Sequence, residues 1–210
     1  VNVSGCSFYV SAEIADSYGM LTGGYFSEPE THVFIDYLLQ QLDDVIFVNG
    51  GCNVGEFIIK AGRAKSTNRV LGYDIHPDCI EACRRSIQLN GLEDSCTVHL
   101  RGLGSEVGTA CVSFGQHAPQ GTNLFDEEGR ETRSVDISTL DQELKKEIVA
   151  EELPYVVLLD VEGYEKEIMK GSSKFVESHK PIIIFEYNEV SRHNFTLDEV
   201  REELGEEYIV

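Results

Sequence analysis

Residues 45–56 read Val-Ile-Phe-Val-Asn-Gly-Gly-Cys-Asn-Val-Gly-Glu, an apolar run that stops abruptly in a polar, glycine-rich turn. Four consecutive apolar residues are typical of a strand that is buried on both faces. The apolar residues from Val54 to Ala61 then recur at helical spacing, so the stretch predicts a strand, a tight turn and a helix. In an open parallel sheet such a turn lies at the carboxyl ends of the strands, where the next helix points its amides at a ligand. We therefore expect a ligand at this turn.

The spacing of the glycines separates two nucleotide-type ligands. The dinucleotide fingerprint is Gly-x-Gly-x-x-Gly, whereas this turn has Gly51-x-x-x-Gly55, with the small polar residue Asn49 ending the strand. That spacing favours S-adenosylmethionine over a dinucleotide. A dinucleotide-dependent oxidoreductase is also disfavoured because the chain shows no obvious Tyr-x-x-x-Lys set.

Three later apolar runs, at residues 69–74, 155–160 and 181–186, each end in an acidic residue. Asp74 ends the first of them, 23 positions after Gly51, where Rossmann-like sheets place a carboxylate against ribose hydroxyls. The alternative for Asp74 is a helix cap before Pro77. Asp160 ends the second run, and in extended geometry the carboxylates of Asp160 and Glu162 lie on one side while Val161 turns away. Glu186 ends the third run.

The rest of the chain predicts further regular elements. Periodicity and capping signals predict helices over residues 31–42, 77–90, 139–153 and 197–204, with another after Gly163. Short strands are expected at residues 8–10 and 97–100, and another begins at 207–210. Residues 110–114 and 132–137 predict a hairpin-type insertion around the turn-rich segment 115–129. Four polar residues there are candidates to meet a substrate or are simply solvated: Gln116, His117, Asn123 and Arg130.

The turn at residues 49–55 resembles the Asp-Val-Gly-Ala-Asn-Ile-Gly motif of FkbM-type, S-adenosylmethionine-dependent methyltransferases. Other blocks fit the same family in order, at residues 25–30, 73–77, 86–90, 139–141, 160–165 and 171. The resemblance runs in register from about residue 25 to Glu186. Two residues depart from the pattern: Asn49 stands where the family usually has Asp, and Leu158 stands where it usually has Lys.

The resemblance implies a three-layer α/β fold, a Rossmann-like class I methyltransferase sheet that is mostly parallel. We expect one methyltransferase-like domain over residues 1–210, with an N-terminal cap and packing helix in 1–44 and the sheet core in 45–210. A length of 210 residues with 41% hydrophobic content suits one α/β core. The sheet of such enzymes ends in an antiparallel strand, and the sequence stops where that strand begins, so we expect the final strand to be missing.

The implied function is methyl transfer from S-adenosylmethionine to a hydroxyl of a small molecule or a glycan. The alternative is a non-catalytic descendant of the fold that serves as a structural or assembly subunit, because of Asn49 and Leu158. The candidate catalytic bases are Asp160, Glu162 and Glu186. The residues expected to contact the cofactor are Asn49, Gly51, Asn53, Gly55, Asp74, Ile75, Gly102, Leu103 and Asp160.

Composition limits the partners. The net charge of -20, from 37 acidic and 17 basic residues, disfavours a nucleic acid or an anionic membrane surface. No apolar run is long enough for membrane insertion. Six cysteines without a Cys-x-x-Cys pair predict reduced thiols and no metal site, in the cytoplasm or an organelle interior. The sequence begins at Val1, so a removed targeting segment stays open.

Overall fold

The structure is a computed structural model of the chain, which describes residues 1–11, 14, 17–65, 68–114, 131–147 and 153–210. Its strands are β1 (Asn2–Val3), β2 (Cys6–Ser7), β3 (Ile46–Gly50), β4 (Arg69–Asp74), β5 (Cys96–Leu100), β6 (Gly102–Leu103), β7 (Gly108–Phe114), β8 (Glu131–Ser138), β9 (Tyr155–Leu159) and β10 (Ile182–Phe185). Its helices are α1 (Ser17–Thr22), α2 (Pro29–Gln41), α3 (Glu56–Ala64), α4 (Pro77–Asn90), α5 (Leu140–Glu147), α6 (Glu165–Lys170), α7 (Ser173–His179), α8 (Glu189–Asn194) and α9 (Leu197–Leu204).

The central sheet has five parallel strands in the order β10-β9-β3-β4-β5. The chain builds outward from β3 through β4 to β5, then returns to the other side of β3 for β9 and β10. The strand order therefore reverses between β3 and β9, which is where open α/β sheets bind their ligands. The predicted Rossmann-like, mostly parallel sheet is confirmed, and so is the strand, turn and helix of residues 45–56.

Helices cover both faces of the sheet. Alternate residues of a strand point to opposite faces, so a continuous apolar run makes both faces apolar. On one face, Phe47 of β3 belongs to an apolar cluster with Ile58 of α3 and other residues of α3 and α4. On the other face, Val48 belongs to a cluster with Ile168 of α6 and residues of α7 and α9. All five residues of β3 are buried, as the continuous apolar run predicts. The result is the three-layer arrangement.

The predicted hairpin-type insertion is confirmed as β7 and β8, which pair antiparallel from Gly108 opposite Ile137 to Phe114 opposite Glu131. The short strand β6 lies parallel to the end of β8. The segment 115–130, with Gln116, His117, Asn123 and Arg130, lies outside the described residues.

The first residues of the chain differ from the prediction in where the short strands lie. The packing helix α2 is confirmed and begins at Pro29. The strand predicted at residues 8–10 is wrong, because the hairpin lies earlier: Val3 pairs with Cys6 around a turn in which Ser4 and Gly5 both have positive φ. Tyr9 instead donates its backbone N–H to Ser86 Oγ at 3.0 Å, which ties the segment to α4.

Two further differences concern the end of the chain and its short helices. Residues 207–210 form no strand, and the Tyr208 hydroxyl donates to the Pro181 carbonyl at 3.2 Å. The structure also contains α1, α7 and α8, which show no clear periodicity in the sequence because each has only six or seven residues. Helix α5 begins after Thr139, whose hydroxyl accepts from the Gln142 N–H, and its predicted continuation into residues 148–152 lies outside the described part.

All six cysteines are free thiols, and four of them are buried. In the described part of the chain, no helix combines the length and apolarity needed to cross a membrane.

Candidate active site

The glycine turn brings the ends of β3 and β9 into contact. Gly51 has φ +79°, and a Cβ atom at this position would lie 1.7 Å from the carbonyl oxygen of Asp160. Only a residue without a side chain allows the two strand ends to approach so closely. The amides of Gly51 and Cys52 both donate to the Tyr73 carbonyl, at 2.9 and 3.1 Å, which fixes the turn against β4 as well.

Gly55 has a different role from Gly51. It has φ +92° at the start of α3, and a Cβ atom there would lie 2.4 Å from Cys83 Sγ in α4. Its missing side chain therefore serves the close packing of α3 against α4. Among the residues predicted to contact the cofactor, Gly55 is the one that does not line the cavity described below.

A cavity of about 240 Å³ lies beyond the carboxyl ends of the parallel strands. Its walls come from the glycine turn, from the ends of β4, β9 and β10, and from the segment before α2. The predicted site residues that line it are Asn49, Gly51, Asn53, Asp74, Ile75, Gly102, Leu103, Asp160, Glu162 and Glu186. The tertiary structure thus brings together all but one of the residues proposed from the sequence as catalytic or cofactor-binding.

Asp74 is held rigidly at the edge of the cavity. Its Oδ2 accepts from the backbone N–H of Asn53 and its Oδ1 accepts from that of His76, both at 2.8 Å. Burial raises the pKa of Asp74 above its ordinary value, and these two hydrogen bonds act in the opposite direction. A carboxylate has about four acceptor positions, so the side chain keeps the capacity to accept from a hydroxyl of a ligand. The neighbouring helix cap before Pro77 is provided by His76 instead.

Asp160 and Glu186 form a carboxyl pair at the ends of β9 and β10. They are hydrogen-bonded side chain to side chain. Burial, followed by the charge of Glu186, raises the pKa of Asp160 to about 9. Burial also raises the pKa of Glu186, while the hydrogen bond from Asp160 lowers it. The pair therefore holds a proton at neutral pH, with Asp160 donating to Glu186.

Glu28 and Glu162 add two more carboxylates to this end of the cavity. Their charges contribute to the raised pKa values of both Asp160 and Glu186. The extended geometry predicted for residues 160–162 is wrong, because Glu162 adopts a left-handed conformation with φ +55°. Val161 consequently lines the cavity too, rather than turning away from it.

The turn that carries Glu162 is fixed by Glu165, which is fully buried. Glu165 Oε1 accepts from the N–H groups of Val161 and Gly163, at 3.2 and 3.1 Å, and Oε2 accepts from Ser191 Oγ. Sequence reasoning missed this role, although an acidic residue in the first turn of a helix was visible in the sequence.

The two departures from the family motif are paired in space. Asn49 of β3 and Leu158 of β9 are register partners, and their side chains are 1% and 3% exposed. Asn49 Nδ2 donates at 3.4 Å to the carbonyls of Gly50 and Leu158, while its Oδ1 is buried and has no hydrogen-bond partner among the residues that the structure describes. A neutral pair thus occupies neighbouring positions where the family usually has an acid and a base.

Sequence reasoning also missed several residues of the wall, notably Ser27, Glu28 and Glu56. Glu56 was visible as the acidic residue directly after Gly55. Ser27 and Glu28 could not be placed, because only the packing of α2 on α3 brings this segment to the sheet. Arg101 forms an ion pair with Glu143 at 3.1 Å.

The described part of the lining is strongly acidic. Its carboxyl side chains are those of Glu28, Glu56, Asp74, Asp160, Glu162 and Glu186, against the guanidinium of Arg101. Such a site attracts a cationic ligand more than an anionic one. Within the described residues, no group of His, Cys, Asp and Glu has an arrangement that could hold a metal ion.

Comparisons with known proteins agree with this geometry. A family profile of the methyltransferase FkbM domain matches residues 49–208. A precorrin-6y C5,15-methyltransferase from Geobacter metallireducens is similar in structure, with a TM-score of 0.53, 13% identity, and coverage of 92% of this chain and 76% of that one. A SAM-dependent O-methyltransferase from Thermotoga maritima has a TM-score of 0.50 and 14% identity, with coverage of 88% of this chain and 54% of that one. A search of curated protein sequences finds no significant match.

Proposed function

Because the chain belongs to the FkbM methyltransferase family, whose cofactor is S-adenosylmethionine, we propose that it transfers a methyl group to a hydroxyl oxygen of a small molecule or a glycan. The observation that carries this proposal is the carboxyl pair of Asp160 and Glu186 in the wall of the cavity. A hydroxyl is a weak nucleophile until a base removes its proton, and a carboxyl group with a raised pKa is suited to that role.

The cavity fits the cofactor chemically. S-adenosylmethionine carries a positive sulfonium and an ammonium, and the lining is rich in carboxylates. Asp74, with both oxygens fixed by backbone amides, would accept from the ribose hydroxyls. When bound, the cofactor supplies an electrophilic methyl group on its sulfur. The cluster of Asp160, Glu186, Glu162 and Glu28 belongs to the same lining and suits the cationic sulfonium.

We assign the proton of the acceptor hydroxyl to the Asp160–Glu186 pair. The pair already shares one proton and retains one negative charge, so it can accept one proton more. In the reaction Glu186 would take the proton that the acceptor hydroxyl gives up to the pair. Positioning of the reactants and exclusion of water supply most of the remaining reduction of the activation free energy, in the range of about 7 to 11 kcal/mol.

Calorimetric titration of the wild type with S-adenosylmethionine, S-adenosylhomocysteine and NAD tests the cofactor. We expect binding of the first two and none of NAD. Methyl transfer is then followed as release of S-adenosylhomocysteine over a panel of phenols, alcohols and glycans. With an acceptor found, Glu186→Gln should lower turnover by about 10²- to 10⁴-fold, with affinity for S-adenosylhomocysteine nearly unchanged. Glu189→Gln, which removes an exposed carboxylate three residues away, is the control.

A second candidate is a non-catalytic structural or assembly subunit, favoured by the neutral pair of Asn49 and Leu158. It predicts that the protein binds none of the three ligands at millimolar concentration. Binding of S-adenosylmethionine together with turnover of any acceptor would exclude it. NAD binding without S-adenosylmethionine binding would overturn both candidates.

A further inference from the structure

Two oxygen atoms in the wall of the cavity are buried and have no hydrogen-bond donor among the described residues: Asn49 Oδ1 and Glu56 Oε1. Asn49 and Glu56 are both buried, at 1% and 6% exposure. An acceptor that is buried without a donor destabilises a protein. Two such acceptors in the lining of one cavity therefore indicate a ligand that brings donors with it.

The orientation of each side chain is set by contacts made by its other polar atom. Asn49 Nδ2 faces the carbonyls of Gly50 and Leu158, which turns Oδ1 away from the strands. Glu56 Oε2 is 2.8 Å from His32 Nε2 and accepts from Ser27 Oγ at 3.2 Å. Within the described structure, Oε2 thus has two donors and Oε1 has none.

The position of Glu56 is further fixed by aromatic packing around its partner. The imidazole of His32 is sandwiched between the rings of Phe26 and Phe57, with both centroid distances 4.2 Å. Because His32 is buried and held from both sides, its Nε2 is a fixed donor for Glu56. His32 and Ser27 are therefore positioning residues, which orient the carboxylate without needing to touch a ligand.

We propose that Glu56, together with Asn49, binds the ammonium group of the cofactor's amino-acid end; this rests on the proposed function. The cofactor has two cationic centres, and only one of them can satisfy these oxygens. The sulfonium carries no N–H, whereas the ammonium has three donors. Glu56 supplies a full charge to the wall of the cavity in which Asn49 has only an amide. The charge missing at position 49 is thus provided at the start of the following helix.

Two probes separate this site from the rest of the cavity. S-adenosylhomocysteine has the ammonium and lacks the sulfonium charge, whereas 5′-methylthioadenosine has the adenosine part and lacks the amino-acid end. In calorimetric titrations we expect Glu56→Gln to lower the affinity for S-adenosylhomocysteine by about 10- to 100-fold, which is the range for a hydrogen bond to a charged group. The affinity for S-adenosylmethionine should fall by the same factor, and the affinity for 5′-methylthioadenosine should change by less than about twofold.

The matched control is Glu30→Gln, which removes the same charge from the exposed first turn of α2 and should alter none of the three affinities. If Glu56→Gln fails to fold, Glu56→Asp keeps the charge but withdraws it by one methylene, and Ser27→Ala removes one donor to Oε2. Both variants should lower the affinity for S-adenosylhomocysteine but not that for 5′-methylthioadenosine, and by smaller factors than Glu56→Gln.

Three outcomes would overturn the assignment. If Glu56→Gln lowers the affinities for S-adenosylhomocysteine and 5′-methylthioadenosine equally, Glu56 acts through the shape of the cavity. If neither affinity changes, buried water satisfies the oxygens. If the wild type binds neither probe, the cofactor itself is wrong, and the proposed function fails together with this site.

Discussion

Asn49 and Leu158 form a neutral pair across β3 and β9, and each excludes a charge at the other position. A carboxylate at position 49 would lie beside a leucine side chain in a buried setting, where an unpaired charge is strongly unfavourable. The pair therefore explains both departures from the family motif as one change rather than two.

We predict that Asn49→Asp alone lowers the free energy of unfolding by roughly 1 to 3 kcal/mol, and that Leu158→Lys alone is also destabilising. The double variant should recover stability, because the two charges then face each other. A double-mutant cycle from urea unfolding should give a favourable coupling energy of about 0.5 to 3 kcal/mol. Additive effects of the two substitutions would show that the positions do not interact.

The shared proton of Asp160 and Glu186 has a consequence for stability. The folded-state pKa of Asp160, about 9, is above the ordinary value of 3.8. The folded protein therefore binds this proton more tightly than the unfolded chain does. The contribution to stability is complete below pH 3.8 and is lost progressively as pH rises toward 9.

We predict that Asp160→Asn raises the melting temperature of the ligand-free protein at pH 8 to 9, where wild-type Asp160 must stay protonated or be buried as a charge. A gain of about 1 kcal/mol corresponds to roughly 2 to 4 °C for a chain of this length. The difference should shrink toward pH 5. Melting curves across this range check the prediction, and a constant difference between variant and wild type would contradict it.

At the scale of elements, the site depends on how closely the ends of β3 and β9 approach each other at Gly51. Two effects act there, since the residue has positive φ and also lacks room for a Cβ atom. Gly91, which ends α4, has φ +65°, and a Cβ atom placed there would have nothing within 4 Å, so this residue isolates the first effect.

We predict that Gly91→Ala lowers the free energy of unfolding by about 1 kcal/mol, which is the strain of a left-handed alanine. Gly51→Ala should lower it by about 1 to 3 kcal/mol more, because the Asp160 carbonyl must move. It should also weaken S-adenosylhomocysteine binding, while Gly91→Ala leaves it unchanged. Chemical unfolding and calorimetry on both variants measure the difference, and equal costs would mean that the strand ends adjust freely.

For the molecule as a whole, the net charge of -20 acts together with an acidic cavity. The fold by itself does not select the acceptor, but a polyanion would have to approach both an acidic surface and an acidic opening. We therefore expect an acceptor that is neutral or cationic near the atom that receives the methyl group.

We predict that the protein shows no binding to single-stranded RNA or duplex DNA in fluorescence anisotropy, even at about 50 mM salt and up to about 100 µM protein, where nonspecific phosphate contacts are detectable. A basic protein of similar size is the positive control. Salt-sensitive binding in this range would reopen the class of nucleic-acid acceptors.

The sequence by itself determined the sheet and most of the positions in the cavity. Buried parallel strands appear in the sequence as continuous apolar runs, and the residues that follow such runs line the cavity. Asp74, Asp160 and Glu186 could therefore be placed from local pattern alone. The glycine spacing similarly identified the turn, since only glycine tolerates the conformation and the close approach at Gly51.

Only the tertiary structure decided how residues from distant segments act together. The pairing of Asn49 with Leu158 depends on strand order, and the contact of Glu56 with His32 depends on the packing of α2 against α3. The separate role of Gly55 in helix packing and the left-handed turn at Glu162 were also invisible in the sequence. Local propensity acts over a few neighbouring residues, whereas burial, shared protons and unpartnered acceptors arise from contacts between segments that lie far apart in the chain.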